Sequence, residues 1–176
     1  MLTVETGAVV PGADAYVSLA EVDQYHLDRG NAAWTGTDID REGAIRRATD
    51  YMVQTYRQRW KGVYISPLQL LDWPRGFVQR TGFDRSYSGY YPFFMVPNNI
   101  VPDLVKHACA ELALKALAGP LLADESQVVE REQVGPIVVN YSKYSPQRVR
   151  YPAIDGMLSE YLLGGGGSVS TRLARA

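Results

Sequence analysis

His107 and Glu111 stand four residues apart in the stretch "VPDLVKHACAELALKAL", which reads as helix, so their side chains share a face and in principle could hold a cation. Two ligands are too few for a catalytic zinc site, and Cys109 points about 200° around an ideal helix from His107. The pair is therefore expected on a solvated helix face, and Cys109 in the core as a small apolar residue. The other histidine is His26, and neither histidine lies in an H-E-x-x-H motif. No phosphate-binding glycine loop, dinucleotide fingerprint or nucleophile elbow appears. Asp38, Asp40, Glu42 and Asp50 contain no pair with an obvious proton-transfer partner, and helix-start electrostatics account for the first three. The expectation is no catalytic residue, no cofactor and no metal.

A different chemistry is concentrated in residues 75 to 94, "RGFVQRTGFDRSYSGYYPFF". Arg75, Arg80 and Arg85 alternate with Phe77, Phe83, Tyr87, Tyr90, Tyr91, Phe93 and Phe94, and Asp84 alone opposes them. Charge interleaved with stacking faces suits a nucleic-acid single strand. The same residue types anchor protein interfaces, and protein contact is the favoured reading of this loop. A basic surplus continues upstream through Arg46, Arg47, Arg57, Arg59 and Lys61; Arg46 and Arg47 suit either a DNA-facing surface or the wet side of a helix. Just before the loop, Pro74 in "LLDWPRGF" biases Trp73 away from helical backbone. That bend is expected to bury Trp73 with its indole N–H satisfied and to send Arg75 out toward solvent or a partner.

The elements that must position these residues are mostly helical. Ser18 and Glu21 form a capping box opening a helix from Leu19 to about Arg29, closed by Gly30. Thr37 or Asp38 caps a longer helix with Ile45, Ala48, Met52 and Tyr56 on its buried stripe, ending near Trp60. Pro102 and Asp103 start a third, central helix with a wide apolar face (Leu104, Val105, Ala108, Cys109, Leu112, Ala116) and a solvent face of Lys106, His107, Glu111 and Lys115. Residues 127–141 predict a hairpin broken at Gly135-Pro136, its first strand guarded by Glu130, Arg131 and Glu132. Pro152 opens a short helix burying Ile154, Met157, Leu158, Tyr161 and Leu162, and four glycines then lead to a tip bearing Arg172 and Arg175. The fold class is thus mainly α: a small helical bundle with a β-hairpin, a long irregular loop at 62–101 and a flexible C-terminal arm at 164–176, the rest (1–163) forming one domain.

Composition agrees with one ordinary globular unit. The chain has 176 residues, 46% apolar and 21% charged, with net charge −1, so affinity for polyanions has to come from a local cluster. One cysteine excludes an internal disulfide, and neither a signal peptide nor a membrane-spanning run is evident, which points to the cytoplasm or to something assembled there.

The collinear order of "AYVSLAEVDQYHLDRG", "AIRRATDYM", "RWKG", "LQLLDWPRG", "VPDLVKHACAELALKAL", "REQVGPIVVNY" and "RYPAIDGMLSEYL" resembles a family of tailed phages and prophages, the head–tail connector (adaptor) proteins, whose members have often been labelled DnaT-like single-stranded-DNA-binding proteins. The resemblance spans nearly the whole chain. It implies a non-enzymatic neck protein of the virion, forming a homo-oligomeric ring, commonly twelvefold, between the portal protein and a stopper or tail-terminator, with packaged double-stranded DNA passing through. It further implies that a C-terminal segment reaches the portal, a role falling here on Val169, Arg172, Leu173 and Arg175. In such a ring Arg75, Phe77, the loop aromatics and Glu130 to Glu132 would meet neighbouring copies, and Arg46, Arg47, Arg80 and Arg85 would face DNA. A replication-type single-strand binder is the alternative.

Overall fold

The computed structural model describes residues 1–80, 95–122, 131–134, 137–140 and 151–163. Among these the elements run α1 (Leu19–Asp28), α2 (Asp38–Tyr56), β1 (Val63–Tyr64), β2 (Arg75–Gly76), α3 (Asp103–Ala118), β3 (Arg131–Val134), β4 (Ile137–Asn140) and α4 (Pro152–Leu158). The mainly helical expectation holds, and so does the hairpin: β3 and β4 pair antiparallel, with Val134 opposite Ile137.

α3 is the central helix, touching α1, α2 and α4. Its Val105, Ala108, Cys109, Leu112 and Ala113 are fully buried, facing Ala44, Ile45, Ala48 and Met52 of α2. Alanines on both helices let the backbones approach closely, which is why so apolar a face can serve several neighbours. Cys109 lies in this seam as expected, 3.5 Å from the Thr49 hydroxyl, and burial pushes its thiol up to about 11. It is a packing residue rather than a reactive thiol.

The capping predictions are met: Ser18 and Glu21 close a reciprocal box, and the Thr37 hydroxyl accepts the Asp40 amide. Gly30 takes φ +64 beyond α1. Two boundaries differ. α2 stops at Tyr56, because Trp60 leaves the helix to form a bridge with Leu162, packing against Tyr56 on one side and Trp73 on the other. Tyr161 and Leu162 are buried as expected but lie just past α4.

The solvent face assigned to α3 is largely an interface with α1. Lys106 pairs with Glu21 at 2.7 Å, His107 stacks on Tyr25, and the Tyr25 hydroxyl donates to Glu111 at 3.0 Å. Lys115 approaches the ring of Tyr151. Under the same contact lies His26, buried between Trp34 and Tyr25, with Nε2 against the Ala110 carbonyl and Nδ1 against the Asn31 amide.

Burial pushes His26 below the ordinary histidine value, and His107 is lowered by the same cause, with Arg29 adding to it. A lowered folded-state value means that the unfolded chain takes up the proton first. The contribution of these rings is therefore complete above about pH 6.5 and is lost as the pH falls toward their folded values. A thermal-melt series from about pH 7.5 to about pH 5.5 is expected to show falling Tm, and a His26→Gln variant a shallower fall.

The first 17 residues, which sequence patterning left unassigned, are held by a buried carboxylate. Glu5 accepts the backbone N–H groups of Gly7, Val9 and Val10 at 2.8 to 3.0 Å. Gly7, at φ +105, lies so close to Asn99 and Ile100 that a β-carbon would meet the Asn99 carbonyl at 2.1 Å. This loop thereby braces the segment leading into α3.

Candidate interaction surface

The bend at "LLDWPRGF" is built around Asp72, whose side chain is fully buried. One carboxylate oxygen accepts from Arg57 Nε at 3.0 Å and the Tyr64 hydroxyl at 2.6 Å, and the other accepts from Trp60 Nε1 at 3.2 Å. The Asp72 amide donates to the Tyr16 hydroxyl. The Asp72 carboxylate thus ties the end of α2 and β1 to the bend, and its backbone amide ties the N-terminal segment there.

Trp73, next to it, has no solvent exposure and stands edge-on to Trp60 and Tyr161. Its burial was expected; a satisfied indole was not. Trp73 Nε1 has no hydrogen-bond partner among the described residues, because the site is walled by rings.

Arg75 corrects the sequence reading. It does not emerge but is buried, donating Nε to the Lys61 carbonyl at 2.8 Å and its terminal nitrogens to the carbonyls of Gly62 and Asp72. Its guanidinium also lies over the Tyr64 ring. Three carbonyls and an aromatic face take the place of water.

The other candidate cations are likewise engaged within the chain. Arg46, expected to face DNA, pairs with Asp14 at 2.7 Å and donates to the Met1 carbonyl. Arg47 donates to the Ala116 carbonyl at the end of α3, where the helix dipole favours a cation. Arg80 sits 3.5 Å from Glu160, and Arg59 3.5 Å from Asp155. Arg85, Phe83, Tyr87, Tyr90, Tyr91, Phe93, Glu130, Val169, Arg172, Leu173 and Arg175 lie outside the described residues; Arg131 and Glu132 fall on β3, described by backbone alone.

What the frame does present is apolar. Residues 62–80 belong to the expected irregular loop, yet they are secured by the β1–β2 pairing, by the Val96 amide on the Val78 carbonyl and by the Gln79–Met95 bridge. From this rigid base Leu68 stands 83% exposed, Phe77 76% and Leu70 57%, with Val63, Tyr64 and Ile65 beside them in sequence and also exposed. Between Gly62 and Gln79 the charged residues are Asp72 and Arg75, both buried, so this segment itself shows no charged side chain to solvent, although half-exposed Arg57 borders it. Exposed apolar surface of this kind marks an interaction site.

Phe77, expected from the sequence as a contact residue, is exposed on this ledge. It adopts φ +61, a left-handed conformation that costs a residue other than glycine about 1–2 kcal/mol. Its neighbours Gly76 and Val78 are buried, so its backbone is anchored while the ring faces solvent. Neither backbone energetics nor solvation favours phenylalanine here. Phe77→Asn, which suits both, is expected to leave Tm unchanged or slightly higher while weakening assembly, read by melting and by sedimentation of the same sample.

No metal-binding group of three or more His, Cys, Asp or Glu occurs among the described residues, and none of their helices is long and apolar enough to cross a membrane. No curated protein and no solved structure matches the chain. A family model described as "Putative DnaT-like ssDNA binding protein" matches residues 1–176. The chain belongs to that family.

Proposed function

We propose that this protein is a non-enzymatic assembly protein: a head–tail connector of a tailed phage that forms a ring of identical copies and joins portal to tail around the DNA channel. The observation that carries the reading is the uncharged ledge of Val63, Ile65, Leu68, Leu70 and Phe77, fixed on a rigid frame and exposed in the single chain. Such a surface is suited to protein and poorly suited to a phosphate backbone, which needs unengaged cations. The identity of the virion partners comes from the sequence resemblance alone.

A second reading, single-stranded-DNA binding, is favoured by the family's description, which speaks for it more directly than for the neck role. In this chain its cations would come from the segments outside the described residues: Arg85 among the loop aromatics, Lys143, Arg148 and Arg150 between Tyr141 and Tyr151, and Arg172 and Arg175. Electron microscopy of the purified protein, alone and mixed with portal protein, tests the first reading; rings that dock on the portal are the expected result. Dispersed monomers that ignore the portal would refute it. Oligonucleotide titrations at low and high salt test the second, since strand binding through phosphates weakens steeply with salt.

A further inference from the structure

The ledge contains a groove of about 480 Å³ just past the C-terminal end of α2, lined by Arg57, Tyr64, Ile65, Pro67, Gln69 and Leu70, with Ser66 between them. Its polar groups are few and specific. Gln69 Nε2 donates to the carbonyls of Leu71 and Pro74, both at 2.8 Å. Two carbonyl partners fix which end of the amide is nitrogen, and Gln69 Oε1 is left as a buried acceptor without a donor among the described residues. Arg57, half exposed, uses Nε on Asp72 and one terminal nitrogen on the Leu70 carbonyl, and a guanidinium has five N–H groups to give. The groove therefore asks for an apolar knob and a carboxylate arriving together.

The opposite end of α2 offers that set. The helix has 19 residues, so its ends lie about 28 Å apart. At its start Ile39 is 82% exposed, flanked by Asp38 and Asp40. Asp38 accepts from Arg41 through one carboxylate oxygen and Asp40 accepts from the Thr37 hydroxyl through one, so each keeps a second oxygen to offer.

We propose that the first turn of α2 from a second copy of this chain docks in the groove. Ile39 enters between Ile65, Pro67 and Leu70, and an Asp38 or Asp40 carboxylate meets Arg57. Knob and groove occupy opposite ends of one helix, so the contact is head-to-tail and repeats from copy to copy, closing into a ring or continuing as a filament. This inference rests on the self-assembly reading above and names its interface.

The test uses two full-length variants, Ile39→Asp and Leu70→Asp, each altering an exposed side chain, with thermal melts close to wild type as the folding control. Each alone is expected to sediment as a monomer at concentrations where the wild type is assembled. Mixed in equal amounts they should form a heterodimer and nothing larger, since the mixture holds one intact knob and one intact groove. If the wild type assembles and both variants assemble equally well, or if the mixture stays monomeric, the docking proposal is overturned while self-assembly stands. A wild type that never assembles overturns both.

Discussion

Replacing Asp72 by alanine is expected to destabilise the protein by about 3–4 kcal/mol, because it removes the acceptor for three donors from a site with no solvent exposure. Arg57 is about half exposed and regains water, which keeps the loss toward the low end of the range for a broken buried pair. Trp60 Nε1 is deeply buried and has no such recourse, and the Tyr64 hydroxyl, on a residue 41% exposed, regains water in part. For a chain of this size the corresponding fall in Tm is about 10 °C. Asp72→Asn should lie between, since one oxygen survives while the new NH₂ opposes a donor. Chemical denaturation of the three proteins checks the order. Equal stability of the alanine variant and the wild type would mean that the carboxylate does not hold the bend.

Trp73→Ala is expected to be comparably damaging, about 3–5 kcal/mol, through the cavity left between Trp60 and Tyr161. The orphaned indole N–H makes a contrasting variant informative. Trp73→Phe keeps a ring in the site and deletes the unpartnered donor, so the desolvation it recovers offsets part of the lost packing. Its loss should be less than half that of the alanine variant. Far-UV circular dichroism melts separate the two, and the loss of Trp73 from the Trp60 and Tyr161 cluster should also change near-UV signals.

The helices and their caps were legible because their information is local: a Ser18–Glu21 box, a Thr37 cap and a stripe recurring every three or four residues declare themselves without tertiary context. The hairpin was legible from β-branched runs around Gly135-Pro136. What escaped was structure held by side chains reaching for backbone. The Glu5 loop and the Asp72 bend have no period, and each depends on partners that only the fold brings near, Tyr16 and Asp72 being 56 residues apart. Arg75 was misread because arginine usually stays in water; nothing in "DWPRG" announces that the carbonyls of Lys61 and Gly62 will enclose it. Arg46 and Arg47 look like a basic surface in one dimension and become ties to Asp14 and Ala116 in three.

The candidate surface was half legible. Phe77 was named from the aromatic run and is exposed, but Leu68, Leu70 and Ile65 were passed over, since an exposed leucine cannot be told from a buried one inside an aperiodic segment. Ile39 was missed for a similar reason: one apolar residue among Asp38 and Asp40 reads as noise in a helix start until its exposure is seen. A signal was present in retrospect, namely ten consecutive residues without a charge, from Gly62 to Leu71, in a chain that is 21% charged.

Sedimentation velocity of the full-length protein with a labelled single-stranded oligonucleotide, followed at separate wavelengths for protein and label, addresses most directly whether this chain acts through protein surface or through nucleic acid. The protein is expected to sediment as a large assembly while the label stays with free oligonucleotide at physiological salt. A small protein species carrying the label with it would contradict the account.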